Sequence, residues 1–295
     1  MGKIAKEKIK TWFITGASSG VGHKLAEELL SRGYNVIAVS RRVPDICHEN
    51  VLCLSVDVTK PETIKEAIQK GIDRFGRIDV LSNNAGISAN IIAEEETLEH
   101  MKEVMETNFF GTFNTINALL PHFRENNNGT IISNTSQSGL SPRAYGSAYC
   151  SSKYAIEGLT SVCWVETQNF CRVMAFELGW FEGTGIINQD FCKQSFYKEY
   201  EILRPAHKHF YYSFKNDLNI AVKYIIDQVE KEKLPRRLIL GKDAFIRVKS
   251  EIASLKRDLY ASKRRALKCA KFDKEFPKKA LKKIVRVVFK REINI

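Results

Sequence analysis

Residues 11–32 read TWFITGASSGVGHKLAEELLSR. The first five, Thr11 to Thr15, form a short apolar run of strand length, the pattern of a strand buried on both faces. Gly16, Gly20 and Gly22 interrupt it, and a helical pattern follows through Arg32. A strand, a glycine turn and a helix start make a pocket for a pyrophosphate: glycine lets the backbone approach, and the helix end offers unpaired N–H groups. The spacing Gly-x-x-x-Gly-x-Gly departs from the Gly-x-Gly-x-x-Gly dinucleotide fingerprint, so the turn alone is also a plain βα connection.

The chain beyond repeats the pattern of strand and helix that builds a parallel sheet. A second strand, Asn35 to Ser40, ends in Ser40-Arg41-Arg42. A dinucleotide fold selects its cofactor here: an acidic residue would take a ribose 2′-hydroxyl, whereas this cationic pair suits a 2′-phosphate or is a surface feature. A third strand, Val51 to Val56, runs into Asp57-Val58-Thr59. Asp57 there can accept from an adenine amino group, and Asp57 or Thr59 can cap the helix that begins near Pro61; both can hold at once. Asp79 to Ser82 reads as a fourth strand ending in Asn83-Asn84-Ala85-Gly86, small and amide residues at the carboxyl edge where open sheets bind ligands. Helices are expected from about Leu98 to Asn126.

Chemistry enters after a fifth strand-like run, Thr130 to Thr135. Tyr149 and Lys153 are four residues apart, so a helix puts a phenol and an ammonium on one face. A fixed cation favours the phenolate and draws the tyrosine toward neutrality, where a general acid works best. Ser136, on the turn before that helix, can hydrogen-bond a carbonyl or alcohol oxygen as charge develops on it. The trio suits protonation of a carbonyl oxygen while hydride reaches the carbon.

Thr15-Gly16-x-x-x-Gly20-x-Gly22, Asp57-Val58, Asn83-Asn84-Ala85-Gly86, Asn108, Ser136 and Tyr149-x-x-x-Lys153 together resemble the ordered motif set of the short-chain dehydrogenase/reductase (SDR) family, over about residues 10 to 187. The resemblance implies an α/β, Rossmann-type, doubly wound parallel sheet of about seven strands with helices on both faces. It also implies an NADP(H)-dependent oxidoreductase acting on a carbonyl or secondary alcohol, and a homo-oligomer, dimer or tetramer. Tyr149 would be the proton donor or acceptor, Lys153 would bind the nicotinamide ribose, Ser136 would orient the substrate oxygen, and Asn108 would hold a water in the proton relay. Gly16, Gly20 and Gly22 would line the pyrophosphate with Thr15, Ser18, Ser19 and Val21 around them. Asp57 and Val58 would meet the adenine, Arg41 the 2′-phosphate, and Asn84, Ala85 and Gly86 the cofactor's inner edge. After a sixth strand, Arg172 to Glu177, the family pattern has Pro-Gly and then a Thr at the nicotinamide. This chain has Leu178-Gly179 and one extra residue before Thr184, the expected cofactor contacts of that loop.

Composition sets the remaining limits. With 295 residues and 44% apolar content the chain can fill a core, which excludes a disordered protein. Seven cysteines without a Cys-x-x-Cys pair argue for free thiols in a reducing compartment, with no zinc or other metal site. The amino end lacks a secretory apolar region, Lys6 breaks the myristoylation pattern after Gly2, and no run approaches the ~18 residues of a membrane span. A cytoplasmic protein is expected.

Residues 8–242 are expected to form the catalytic domain and 243–295 a basic helical extension. Ten of the thirty aromatic residues fall between 180 and 214, an expected lid over a bulky apolar substrate or a packed helical cover. His207 and His209 lie there without partners at metal-ligand spacing. Helical patterning resumes from about Asn219 to Glu232, and Arg237 to Leu240 forms a last strand. Beyond Asp243, Phe245, Val248, Ile252, Leu255 and Leu259 recur at helical intervals. Residues 256–291 hold fifteen Lys/Arg against three Asp/Glu, which accounts for the whole net charge of +12. Within 278–291 an apolar stripe opposes a basic face, suited to an anionic membrane surface or to docking on the protein itself. Nucleic acid fits less well, since no binding module accompanies the charge. A chain that binds NADP(H) without turnover, as a sensor or scaffold, is the competing functional class.

Overall fold

The structure, a computed structural model, describes residues 10–88, 90–182, 184, 197–203 and 214–269. Seven strands make one parallel sheet: β1 (Thr11–Thr15), β2 (Asn35–Ser40), β3 (Val51–Ser55), β4 (Val80–Asn83), β5 (Thr130–Asn134), β6 (Arg172–Leu178) and β7 (Arg237–Leu240), in the order β3-β2-β1-β4-β5-β6-β7. The helices are α1 (Gly20–Ser31), α2 (Pro61–Phe75), α3 (Leu98–Met105), α4 (Gly111–Glu125), α5 (Ser147–Glu166), α6 (Lys198–Glu201), α7 (Leu218–Glu230) and α8 (Lys242–Cys269). This is the doubly wound Rossmann-type arrangement that the resemblance implied.

Successive side chains of β1 point to opposite faces, and each face has its own core. Trp12 and Ile14 join Leu25 and Leu29 of α1 and Ile225 and Ile226 of α7. Phe13 joins Ile64 of α2 and Leu119 and Phe123 of α4. Both faces of the strand are dry, which is why it reads as one continuous apolar run. Removing a fully buried ring such as Phe123, by Phe123→Ala, would cost about 3–5 kcal/mol.

Strand order reverses between β1 and β4, so the crevice outside their carboxyl ends is where this architecture receives a ligand. Strand ends differ from the sequence reading by a residue: β4 spans Val80–Asn83, while β3 and β5 stop at Ser55 and Asn134. Between α3 and α4 a π-helical turn, Glu106–Phe110, carries Asn108.

The chain separates into two compact units, Met1–Arg247 and Val248–Ile295. The start of α8, as far as Arg247, belongs to the first unit. Asp243 is buried there, and Arg247 donates to the carbonyl oxygens of Ser141 (2.9 Å) and Pro142 (2.7 Å). The described cysteines 47, 53, 150, 163 and 171 are free thiols. Among the described residues no helix is long and apolar enough to cross a membrane. His207, His209, most of the aromatic stretch and the basic segment 278–291 lie outside the described residues.

Candidate active site

The turn after β1 is built by backbone demands. Gly16 and Gly20 have φ of +68° and +57°, the left-handed region that glycine enters at no steric cost. A Cβ on Gly16 would stand 2.8 Å from the backbone of Ala85, and one on Gly22 only 2.5 Å from the carbonyl oxygen of Gly16. Thr15 works from behind: its buried Oγ1 accepts from the N–H groups of Asn84 (3.0 Å) and Ala85 (3.1 Å). One hydroxyl thus laces the end of β1 to the end of β4 at the switch point. The Ser19 N-cap makes no side-chain cap bond, and no acidic residue stands in the first turn of α1. The N–H groups of that turn are left for an anion.

In front of the turn lies a cleft of about 920 Å³. Gly16, Ser18, Ser19, Gly20, Val21 and Gly22 form one wall, Arg41, Asp57 and Val58 the far end, and Asn84, Ala85 and Gly86 the inner edge. Arg42 lies beside Arg41 and is exposed to the same space. Asp57 Oδ1 accepts from the Thr59 N–H (3.0 Å) and hydroxyl (2.8 Å). Burial raises the Asp57 carboxyl, but the Thr59 bonds and the charges of Lys60 and Arg41 outweigh it and hold it below the usual carboxylate range. The capping alternative is not what forms: Lys60 is the N-cap of α2, and no side chain caps that helix. Asp57 folds back on Thr59 because the two are close enough to close a local turn.

A smaller pocket of about 80 Å³ adjoins the cleft and shares Val21, Ser88, Asn134 and Thr184 with it. Ser136 and Tyr149 line this pocket. Ser136 has φ +60°, a conformation that costs a non-glycine residue about 1–3 kcal/mol. Its Oγ accepts from the Ser138 N–H (3.3 Å), so its own O–H is left to donate. One turn along α5 from Tyr149, the buried Lys153 donates to the carbonyl oxygen of Asn134 (2.7 Å), with Nζ 5.6 Å from the centre of the Tyr149 ring. Burial lowers the Lys153 amine to about 8. Arg143, which the sequence reading passed over, brings its guanidinium carbon 5.7 Å from the same ring centre. Two cations therefore flank the phenol.

Asn108 is occupied by structure. Its Nδ2 donates to the Ile87 carbonyl (2.9 Å) and to Ser152 Oγ (2.9 Å), and its Oδ1 accepts from the Ile87 N–H (2.8 Å). It clamps the β4 loop to α5, while its main-chain oxygen accepts from the Thr112 hydroxyl (2.7 Å). Thr184 borders both spaces and donates to the Phe181 carbonyl oxygen (2.9 Å). Gly179 lines only the small pocket, and its missing side chain leaves room for Asp243, whose Oδ1 would lie 2.1 Å from a Cβ there.

Asp243 is the residue that sequence reasoning missed altogether. Its buried carboxylate accepts from Gln137 Nε2 (2.9 Å), the Trp180 N–H (2.7 Å) and Asn216 Nδ2 (2.8 Å). It thereby joins the Ser136 turn to the departure of the chain from β6, and Gln137 and Trp180 are themselves walls of the small pocket. At the start of a helix an Asp reads as a cap, and no local pattern reveals three partners so far away in sequence.

A strand-reversal crevice with a glycine turn at one end and a Ser, Tyr and Lys at the other defines an oxidoreductase of the dinucleotide-binding class. Residues 10–194 match the short chain dehydrogenase family model, and the chain belongs to that family. The 3-ketodihydrosphingosine reductase of Bacteroides thetaiotaomicron is 38% identical over 157 residues, which cover 53% of this chain and 58% of that one. The chain therefore spans little more than half of that relative's length. A short-chain dehydrogenase structure from Streptomyces avermitilis superposes with a TM-score of 0.79 at 29% identity, covering 90% of this chain and all of the other. The structure of ElxO with NADP bound has a TM-score of 0.66 at 25% identity, covering 78% of this chain and 96% of its own.

Proposed function

We propose that the protein is an NADP(H)-dependent reductase that interconverts a bulky apolar ketone or aldehyde and its alcohol. The observation that carries this reading is the continuity of the two spaces: Ser136 and Tyr149 open onto a pocket that shares four wall residues with the glycine-turn cleft. The residues present fit the cofactor. Gly16 and Gly22 leave backbone where any Cβ would collide, uncapped N–H groups of α1 suit a pyrophosphate, and Arg41 and Arg42 suit a 2′-phosphate. The NADP bound by ElxO and the ketone reduced by the Bacteroides relative support the same choice of cofactor and substrate class.

When bound, NADPH supplies the hydride. Ser136 donates its free O–H to the substrate oxygen and fixes its position. Tyr149 hands its phenolic proton to that oxygen as the carbonyl becomes an alcohol. Lys153 and Arg143 hold positive charge beside the ring and stabilise the phenolate that remains. Asn108 keeps the Ile87 loop and α5 in register, so that Lys153 and Gly86 meet at the inner edge. An intact proton donor is what a sensor without turnover would not need.

The test is NADPH consumption over a panel of long-chain and polycyclic ketones, with Tyr149→Phe as control. Loss of turnover by about 100-fold or more, with NADPH still bound, is expected from removal of a general acid. Turnover retained in Tyr149→Phe overturns the mechanism.

A further inference from the structure

From Leu255 to Lys263 every residue of α8 is exposed, yet the helix keeps an apolar line on one side. Ile252, Leu255 and Leu259 are 58%, 58% and 69% exposed. Ile252, Leu255 and Leu259 stand three and four residues apart, the spacing of heptad positions a, d and a, with Ile252 and Leu259 at a and Leu255 at d. Val248, one interval earlier, is 2% exposed and belongs to the core of the fold. The flanks of the line are sorted by charge. Lys249, Lys256 and Lys263 occupy the e positions on one side, and Glu251 and Asp258 the g positions on the other, up to Arg265 at the next g.

Among the described residues Glu251 and Asp258 form no ion pair. Their positions four residues on are Leu255 and Ser262, so no intrahelical pair is offered in that direction. Each acid instead has a lysine five residues on, Lys256 for Glu251 and Lys263 for Asp258. That offset joins g to e′ between two helices lying parallel and in register. An antiparallel partner of the same sequence would set acids against acids and lysines against lysines. An anionic lipid surface would meet the carboxylates along one edge of the stripe.

We propose that the Glu251–Lys263 part of α8 pairs with the same helix of a second copy of this chain as a parallel two-stranded coiled coil. Ile252 at a followed by Leu255 at d is the combination that favours two strands. The interface is the Ile252, Leu255 and Leu259 line, and its direction is set by Glu251–Lys256 and Asp258–Lys263 pairs between the copies. This assignment does not depend on the reaction proposed above.

The experiment uses the full chain with Leu255→Cys, oxidised mildly and compared with the unaltered chain to subtract its own cysteines. In a parallel pair the two introduced thiols face each other, and a disulfide-linked dimer at least tenfold above the parent background is expected. Two charge variants are built on Leu255→Cys: Glu251→Lys with Asp258→Lys, and Lys256→Glu with Lys263→Glu. Each alone is expected to lose at least fivefold of the crosslink, and an equimolar mixture to recover it. No crosslink in Leu255→Cys, as follows if residues 270–295 or a lipid surface cover the stripe, overturns the proposal. Crosslinking that is indifferent to the charge variants, or raised by them, overturns it too.

Discussion

The ammonium group of Lys153 donates to the main-chain oxygen of Asn134 over 2.7 Å, tying the middle of α5 to the last residue of β5. The contact puts a cation next to the Tyr149 ring and behind Asn134, which lines both spaces. It also buries the cation, and this should be measurable without any substrate. Burial lowers the amine from 10.5 to about 8, so between these values the unfolded chain binds more protons than the folded one. The cost of burying the charge is fully present below pH 8 and gone above 10.5. Relative to Lys153→Met, which does not titrate, the parent should gain on the order of 3 kcal/mol across that window. Urea unfolding of both proteins at several pH values checks this, and a difference that stays flat would refute it.

Arg41 and Arg42 both reach the far end of the cleft beside Asp57 and are exposed there. A phosphate held by such groups depends on charge-assisted bonds of about 1.5–3 kcal/mol each. Arg41→Ala with Arg42→Ala should weaken NADPH by about 100- to 10,000-fold and leave NADH within about twofold. Fluorescence titration of the two cofactors reads the ratio. Equal losses for both would remove the arginines from cofactor choice.

Asp243 touches the small pocket through Gln137 and Trp180 and does not border the large cleft. Asp243→Ala leaves those donors buried without an acceptor, at about 1–3 kcal/mol each. The expected outcome is a less stable protein whose KM for the carbonyl rises while its NADPH affinity holds. Asp243→Asn keeps an acceptor oxygen and should recover part of both losses. A parallel fall in cofactor affinity would show that the network supports the whole crevice instead of the substrate side.

What could be read from the chain alone follows from how local each signal is. Most strands are legible as apolar runs ended by Gly, Asn or Asp, β2 with its Ser40-Arg41-Arg42 end being an exception, and the glycine turn is legible because Gly16, Gly20 and Gly22 stand within seven residues. Tyr149 and Lys153 share a helix, so their spacing was enough. Ser136 was placed on its turn, but its positive φ was not legible, since nothing in its type calls for it. The π-turn at Asn108 was equally hidden, because it differs from a continuous α3–α4 helix only in which carbonyl each N–H finds. Asp243, Gln137, Trp180 and Asn216 meet only after β6 and β7 have joined the sheet. Arg143 reaches Tyr149 across a turn whose course no periodicity describes.

A second buried group separates from the site and makes its own demand on pH. Glu177 in β6 is fully buried beside Glu157 of α5, and Arg237 serves both. Arg237 reaches Glu157 Oε2 at 2.8 and 3.0 Å but stays 3.6 Å from Glu177. Burial, reinforced by the Glu157 carboxyl, pushes Glu177 up to about 10, against the pull of Arg237. A proton on Glu177 gives the pair the donor that its buried oxygens otherwise lack. The folded chain therefore holds this proton over a range where the unfolded chain releases it. The stabilisation is complete below 4.5 and is lost as pH rises toward 10. Glu177→Gln carries a permanent amide donor and has no proton to lose. Its melting temperature should match the parent near pH 5 and exceed it at pH 9 by several degrees, since each kcal/mol moves a domain of this size by about 2–4 °C. A gap that is the same at both values would mean that Glu177 is ionised in the folded protein, with Arg237 neutralising it despite the distance.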